Sequence, residues 1–415
     1  MRFPRGFVVA AAIAAGSGAL AQTQALLPAK PELEKKLLAS DGATGDVYGI
    51  AVALSGDTAV VGAWRADPAG KAYLYERNFG GPDAWGETRV LLPSNPLLGD
   101  NFGDDVAIQG DRVVVGATLR NGTGTALIFE RDAGGPSAWS EVAELVPPPF
   151  ANGFGKSIGL DGDRIVVGAF ASRSAHIFER DAGGSWTEVA TLQPVGLPVS
   201  SGFGVSVALA LDRIVVGDWE AGGCCEFGPG SAYVFERDLG GPGNWGLVKR
   251  LRPTPLSSFF LYGFDVAAQG DLVVVGGQNG TVFVYDRNAG GIGSWGEIKR
   301  LTTSSLAFGI ALGLDGERLA VGGFMKDAPF PLPDPEVVFV FERHLGGENA
   351  FGELARVAVP RADAGNYFGF ALDLSGGHLL AGAYADDERA PDAGAAYVYR
   401  LAAPPSPVPA GKRNP

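Results

Sequence analysis

Gly155-Lys156-Ser157-Ile158-Gly159 has the glycine–serine–glycine spacing of a hydrolase nucleophile turn. That chemistry needs a strand-to-helix turn that exposes the serine, with a histidine and an acid to activate it. The chain has three histidines, His176, His344 and His378, and none stands in a triad or metal-binding spacing. Ser157 holds the place that Ala51 and Ser206 hold in sibling segments, which favours a structural role. Gly241-x-Gly243-x-x-Gly246 and Gly291-x-Gly293-x-x-Gly296 match a dinucleotide fingerprint. Such a loop grips a pyrophosphate only at a helix N-terminus, and no helical pattern follows either one. Cys224 and Cys225 are neighbours in a long loop. Outside the cytoplasm thiols oxidise, so a strained vicinal disulfide, an intermolecular bridge and two free thiols all stay open.

The elements that carry these residues repeat. An aromatic-Gly pair recurs at Tyr48-Gly49, Phe102-Gly103, Phe154-Gly155, Phe203-Gly204, Tyr262-Gly263, Phe308-Gly309 and Phe368-Gly369, about every 50 residues. Behind each pair come four short runs of β-branched and aromatic residues bounded by Gly-rich turns, which is strand chemistry. With 63 Gly and 28 Pro in 415 residues, long helices are excluded. His176 takes the place of Tyr73 or Tyr233 in a third strand and reads as a packed core residue. His344 and His378 fall in turns.

Four strands per repeat of this length make a propeller blade. The seventh repeat stops after its third strand, at Tyr397-Val398-Tyr399-Arg400, and the missing fourth strand stands at the other end, within residues 31–42. The expected fold is therefore all-β: a seven-bladed β-propeller with four antiparallel strands per blade, closed by the N-terminal strand. Residues 32–400 form the propeller, 22–31 a linker and 401–415 a Pro-rich disordered tail. Residues 1–21 read as an export signal, with Arg2 and Arg5 before the apolar Phe7–Ala15 and an Ala19-Leu20-Ala21 cleavage site.

The runs Phe-Gly, Val-Gly-Ala and Gly-Ser/Ala-Tyr-Val-Phe resemble the FG-GAP repeat of integrin α-subunit propellers and of many exported bacterial proteins. Residues 37–63 carry the likeness most closely. The family often holds Ca²⁺ in an Asp-rich loop between the first two strands. Here those loops are short turns ending at Asp57, Asp111, Asp163, Asp212, Asp271, Glu317 and Gly377, too short to wrap an ion. No metal and no cofactor is expected.

The loops between second and third strands differ in every blade, and variable loops on a repeated frame are where ligands bind. Trp64, Phe170, Trp219, Phe324 and Tyr384 stand at or near the start of five of them. The resemblance implies that such aromatics form a cation–π cup near the ring axis for a basic side chain of a partner. Loops of blades one to three are net basic, with Arg65, Lys71, Arg120 and Arg173. The last loop is acidic, with Asp386, Asp387 and Asp392. The net charge of −13, more negative once the signal is removed, argues against nucleic acid and anionic lipid. The expectation is a secreted or periplasmic, monomeric binding or adhesion module without membrane insertion that meets a protein at the cell surface. A lectin-like glycan-binding propeller is second, and an extracellular hydrolase or lyase third.

Overall fold

The computed structural model describes residues 30–403 apart from 136, 150, 220–229, 255–260, 278–279, 304–307, 324–335 and 360–364. The proposed signal, Phe324, Cys224, Cys225 and almost all of the C-terminal tail lie outside the described residues. Within them the chain forms 28 strands in seven four-stranded antiparallel sheets, with two three-residue 3-10 turns. In blade one, β2 (Ala51–Ser55), β3 (Thr58–Ala63), β4 (Lys71–Arg77) and β5 (Trp85–Leu91) lie side by side in chain order. The central β3 is buried at every position, because the neighbouring blades cover both of its faces. The turn from β2 to β3 is the two residues between the paired Ser55 and Thr58, with Gly56 at φ 56°.

Each blade puts its first strand innermost, and these first strands touch one another round the ring axis, with β26 (Leu372–Ser375) returning to β2. The repeated glycines allow this close approach. A Cβ on Gly116 would lie 2.0 Å from the carbonyl oxygen of Gly155 in the next blade, and one on Gly382 would lie 1.9 Å from that of Gly49. The Phe-Gly glycine of one blade and the Val-Gly glycine of its neighbour thus share a contact with no room for a side chain. Beside them, Tyr48, Phe102, Phe154, Phe203, Tyr262, Phe308 and Phe368 are all buried. Each meets a third-strand aromatic edge to face, as in Tyr48–Tyr73 at 5.3 Å and Phe368–Tyr397 at 5.4 Å.

The ring closes through β1 (Glu32–Leu37), which pairs antiparallel with β28 (Ala395–Arg400) as the fourth strand of blade seven. It reproduces even the register shift between third and fourth strands, at Leu33/Lys35 here and Leu74/Tyr75 in blade one. A belt of ion pairs crosses the junctions on the face of the third-to-fourth strand turns: Arg131–Glu76 (2.8 Å), Arg180–Glu130 (3.3 Å), Arg237–Glu179 (3.3 Å), Arg287–Glu236 (2.8 Å) and Arg343–Asp286 (3.2 Å). In blade seven, Arg400 stands where the other blades have the carboxylate. Glu34 of β1 supplies it instead and reaches Arg77 of blade one at 3.6 Å.

Candidate functional site

The seven first strands enclose a channel of about 400 Å³ along the ring axis. Its lining includes Ile50, Asp104, Lys156, Val205, Phe264, Ile310 and Phe370, each two residues after an aromatic-Gly aromatic. This tier lies toward the face of the variable loops, because every first strand runs from that face inward. Only Asp104 and Lys156 are charged in the tier, and they pair at 3.0 Å while Thr118 Oγ1 also donates to Asp104.

Deeper in the wall, three carboxylates clip blades together. Asp105 accepts the amide of Ile158 (2.7 Å), Asp265 accepts Val266 (2.9 Å) and Leu312 (2.7 Å), and Asp373 accepts Leu374 (2.8 Å) and Leu54 (2.7 Å). Each therefore satisfies an inner-edge N–H of the following blade, which no further strand can reach. Burial pushes all three carboxyls up to about 7, against the pull of those amides. Asp105 has Lys156 and Asp104 as charged neighbours, Asp373 has Asp315, and no charged side chain perturbs Asp265.

A carboxyl that is harder to ionise when folded adds stability below its unfolded value, about 3.9, and that contribution is lost as pH rises through about 7. The expected result is a melting temperature that falls between pH 5 and pH 8, with a shallower fall in Asp265→Asn. Melting curves over that range check it, and an unchanged slope in the variant would remove Asp265 as a source.

The expected aromatics separate into two groups. Trp219 packs on Gly202, where a Cβ would sit 1.6 Å from the indole, and its ring lies 5.7 Å from that of channel-lining Phe264. Fully buried Asp218 fixes the backbone beneath it by accepting from Ser201 Oγ and the Gly202 amide, both at 2.9 Å. Tyr384 stacks on Tyr367 (4.6 Å) and meets channel-lining Phe370 edge-on (4.9 Å). Trp219 and Tyr384 thus stand at the channel mouth. Trp64 is covered by its own neighbour Arg65 at 4.5 Å, and Phe170 packs over Gly153. Among the described residues neither of these two stacks on a channel-lining ring.

The charged residues of this face need correction. Asp386 is 1% exposed and accepts from Lys36, Asn366, Tyr397 and the amide of Glu388. It holds the Tyr384 loop in place rather than presenting a charge. Asp387 and Asp392 are exposed, and Asp387 accepts the amide of Asp392 at 2.8 Å. The expected basic sector is also largely engaged: Arg120 is buried between Asp100 and Glu144, Lys71 pairs with Asp41, and Arg173 donates to the carbonyl of Pro198. Charge type is visible in a sequence, but its partners are set by which loops the ring brings together.

Ser157 is buried and donates to the carbonyl of Gly204, as a first-strand position should. His176 is buried too, but sits in a chain that sequence spacing missed. Ser174 Oγ meets its Nε2 at 2.9 Å, and its Nδ1 meets Glu188 Oε1 at 2.8 Å. The order is that of a serine-hydrolase relay. Yet Ser174 and His176 are 4% and 1% exposed, His176 packs against Phe154 at 5.6 Å, and neither lines a described cavity. The chain satisfies a buried imidazole at a position where blades one, four and seven have Tyr. His378 opens a second strand rather than filling the turn before it, and packs on Trp85 at 6.0 Å. His344 stands half-exposed in its turn, 3.5 Å from Glu317.

Among the described residues no group of three or more His, Cys, Asp or Glu is placed to hold a metal ion. No described helix is long and apolar enough to cross a membrane. The FG-GAP repeat family matches the chain over residues 32–75, 85–129, 186–235 and 352–399, which span blades seven to one, one to two, three to four, and six to seven. This chain is an FG-GAP repeat β-propeller. No curated protein matches it. The glycine contacts between blades give the FG-GAP signature its physical meaning, since they recur at junctions that the family match does not span, such as Gly217 against Gly263 at 2.1 Å.

Proposed function

We propose that this FG-GAP propeller is an exported binding module whose variable-loop face receives a basic side chain of a protein partner at the channel mouth. One observation carries the reading. Two aromatic clusters, Trp219 with Phe264 and Tyr384 with Tyr367 and Phe370, flank a channel whose wall holds Asp104, Asp105, Asp265 and Asp373 against the single cation Lys156. Aromatic faces attract a guanidinium or ammonium, and the acidic groups of the wall beyond them favour its charge as they ionise above about pH 7. The FG-GAP fold suits such a role, since the frame is rigid and the loops vary. Export rests on residues 1–21, whose composition is that of a signal segment.

Trp219→Ala tests the mouth. An exposed cation–π contact is worth about 0.5–1 kcal/mol, so an Arg-bearing peptide such as Gly-Gly-Arg-Gly-Gly should bind the variant roughly two- to fivefold more weakly. Melting should change little, because Trp219 is only half-buried. A loss of several kcal/mol of stability, as for a core aromatic cut to Ala, would make Trp219 a packing residue instead. Equal peptide binding by parent and variant would also sink the reading.

A further inference from the structure

The outer rim differs at one blade junction. In most blades a glutamate follows the fourth-strand aromatic by two residues: Glu87, Glu141, Glu188, Glu297 and Glu353. At two junctions it clasps a serine in the loop arriving from the preceding blade. Ser40 donates through its amide and hydroxyl to Glu87 (3.0 and 2.6 Å), and Ser94 does the same to Glu141 (2.6 and 3.1 Å). Between blades three and four both partners are replaced, with Val195 at the serine position and Leu247 at the glutamate position. Leu33 of β1 also stands at the glutamate position, but its opposing loop residue lies outside the described ones.

The exchange leaves an apolar cleft of about 560 Å³ lined by Val195, Leu197, Tyr233, Phe235, Trp245 and Leu247. Val195 is fully exposed and Leu247 44% exposed, so water covers apolar side chains where a polar clasp closes two of the sibling junctions. The cleft borders β17 (Trp245–Leu251), the outermost strand of blade four, whose outer edge pairs with nothing in its sheet. That strand carries Lys249 and Arg250, Arg252 follows, and no carboxylate stands on it, in a chain of net charge −13. Arg250 lines the cleft, lying over the Tyr233 ring at 5.1 Å while donating to Ser231 Oγ. Lys249 and Arg252 are exposed.

An extended segment laid along such an edge pairs through its backbone and points alternate side chains to one side. One bulky apolar side chain fills the cleft, and flanking carboxylates meet Lys249 and Arg252. We propose that the outer edge of blade four, with the cleft between blades three and four, docks an extended acidic peptide segment of a partner protein anchored by one large apolar residue. This strip is separate from the channel mouth, where the charges of the lining tier, Asp104 and Lys156, pair with each other.

Fluorescence anisotropy of the full chain with a labelled Glu-Asp-Phe-Asp-Glu peptide tests the proposal. Saturable binding is expected, at least tenfold weaker in Val195→Ser with Leu247→Glu, which rebuilds the clasp seen at Ser94 and Glu141. The exposed-site variant Lys249→Gln with Arg252→Gln, which leaves the cleft intact, should lose at least threefold in affinity and most of the salt dependence. No saturation at millimolar peptide, or equal binding by parent and both variants, overturns the proposal. So does a cleft that takes a neutral oligosaccharide or a second copy of this chain instead of the peptide.

Discussion

Removing residues 31–40 lowers the melting temperature by on the order of 10 °C or more, because that segment is the fourth strand of blade seven. Its loss exposes the edge of β28 and takes Leu37 and Ala39, 1% and 3% exposed, out of the cluster between blades seven and one. It also removes the carboxylate that completes the ion-pair belt. The Glu34 side chain is 5% exposed, accepts from the Trp85 indole (2.9 Å) and Arg400 (2.5 Å), and lies near Arg77 (3.6 Å) and His378 (3.4 Å). Glu34→Ala alone should cost about 1–3 kcal/mol, chiefly because it leaves the buried Trp85 indole N–H without an acceptor, while Arg77 keeps Asp57 and Asp83 and Arg400 turns to solvent.

Acid titration gives that single variant a second signature. Burial by itself would raise the Glu34 carboxyl, but the Trp85 and Arg400 hydrogen bonds, with the charges of His378 and Arg400, hold it below the usual glutamate range. A depressed folded-state value adds stability above the unfolded one, about 4.3, and that stability is lost as pH falls through the lower folded value. The parent should therefore lose stability more steeply in acid than Glu34→Ala does. A deletion variant melting within a degree or two of the parent would refute closure by β1.

Arg120→Ala should be destabilising by about 3–5 kcal/mol, although Arg120 sits in a surface loop. Its side chain is 6% exposed and donates to Asp100 (2.6 Å), Glu144 (2.8 Å) and the carbonyl of Asn95 (2.9 Å). Cutting it leaves the Asp100 carboxylate, 4% exposed, without its counter-charge, and frees the loop that carries Leu97 and Leu98. Arg120→Met combined with Asp100→Leu should recover much of the loss, because neither buried charge then remains to be desolvated. Denaturant unfolding of the single and double variants measures both. A single-variant cost below about 1 kcal/mol would place Arg120 among solvated surface ion pairs.

These effects fall where repetition ends. Strand count, blade number and the closing segment were legible because burial on both faces forces the same aromatic and glycine positions seven times. Trp219 and Tyr384 are conspicuous in the sequence for a related reason: a large aromatic in a loop that otherwise varies stands out against its siblings. Asp386 and Arg120 were misjudged because a charged residue in a loop reads as solvent-facing until its partners are known. Of those partners, Lys36 reaches Asp386 only through ring closure, while Tyr397 for one and Asp100 and Glu144 for the other are brought near by strand pairing and loop folding within a blade.

The sequence alone determined the all-β propeller, its seven blades and its N-terminal closure, since periodic burial and glycine contacts are local demands repeated along the chain. Tertiary structure alone decided which charges remain available, where the aromatics gather and how the channel carboxylates clip neighbouring blades. Those depend on distances between residues as far apart as Leu54 and Asp373, joined only when the ring is complete. A hydrogen bond needs its donor within about 3 Å of its acceptor, and no spacing along the chain encodes that distance.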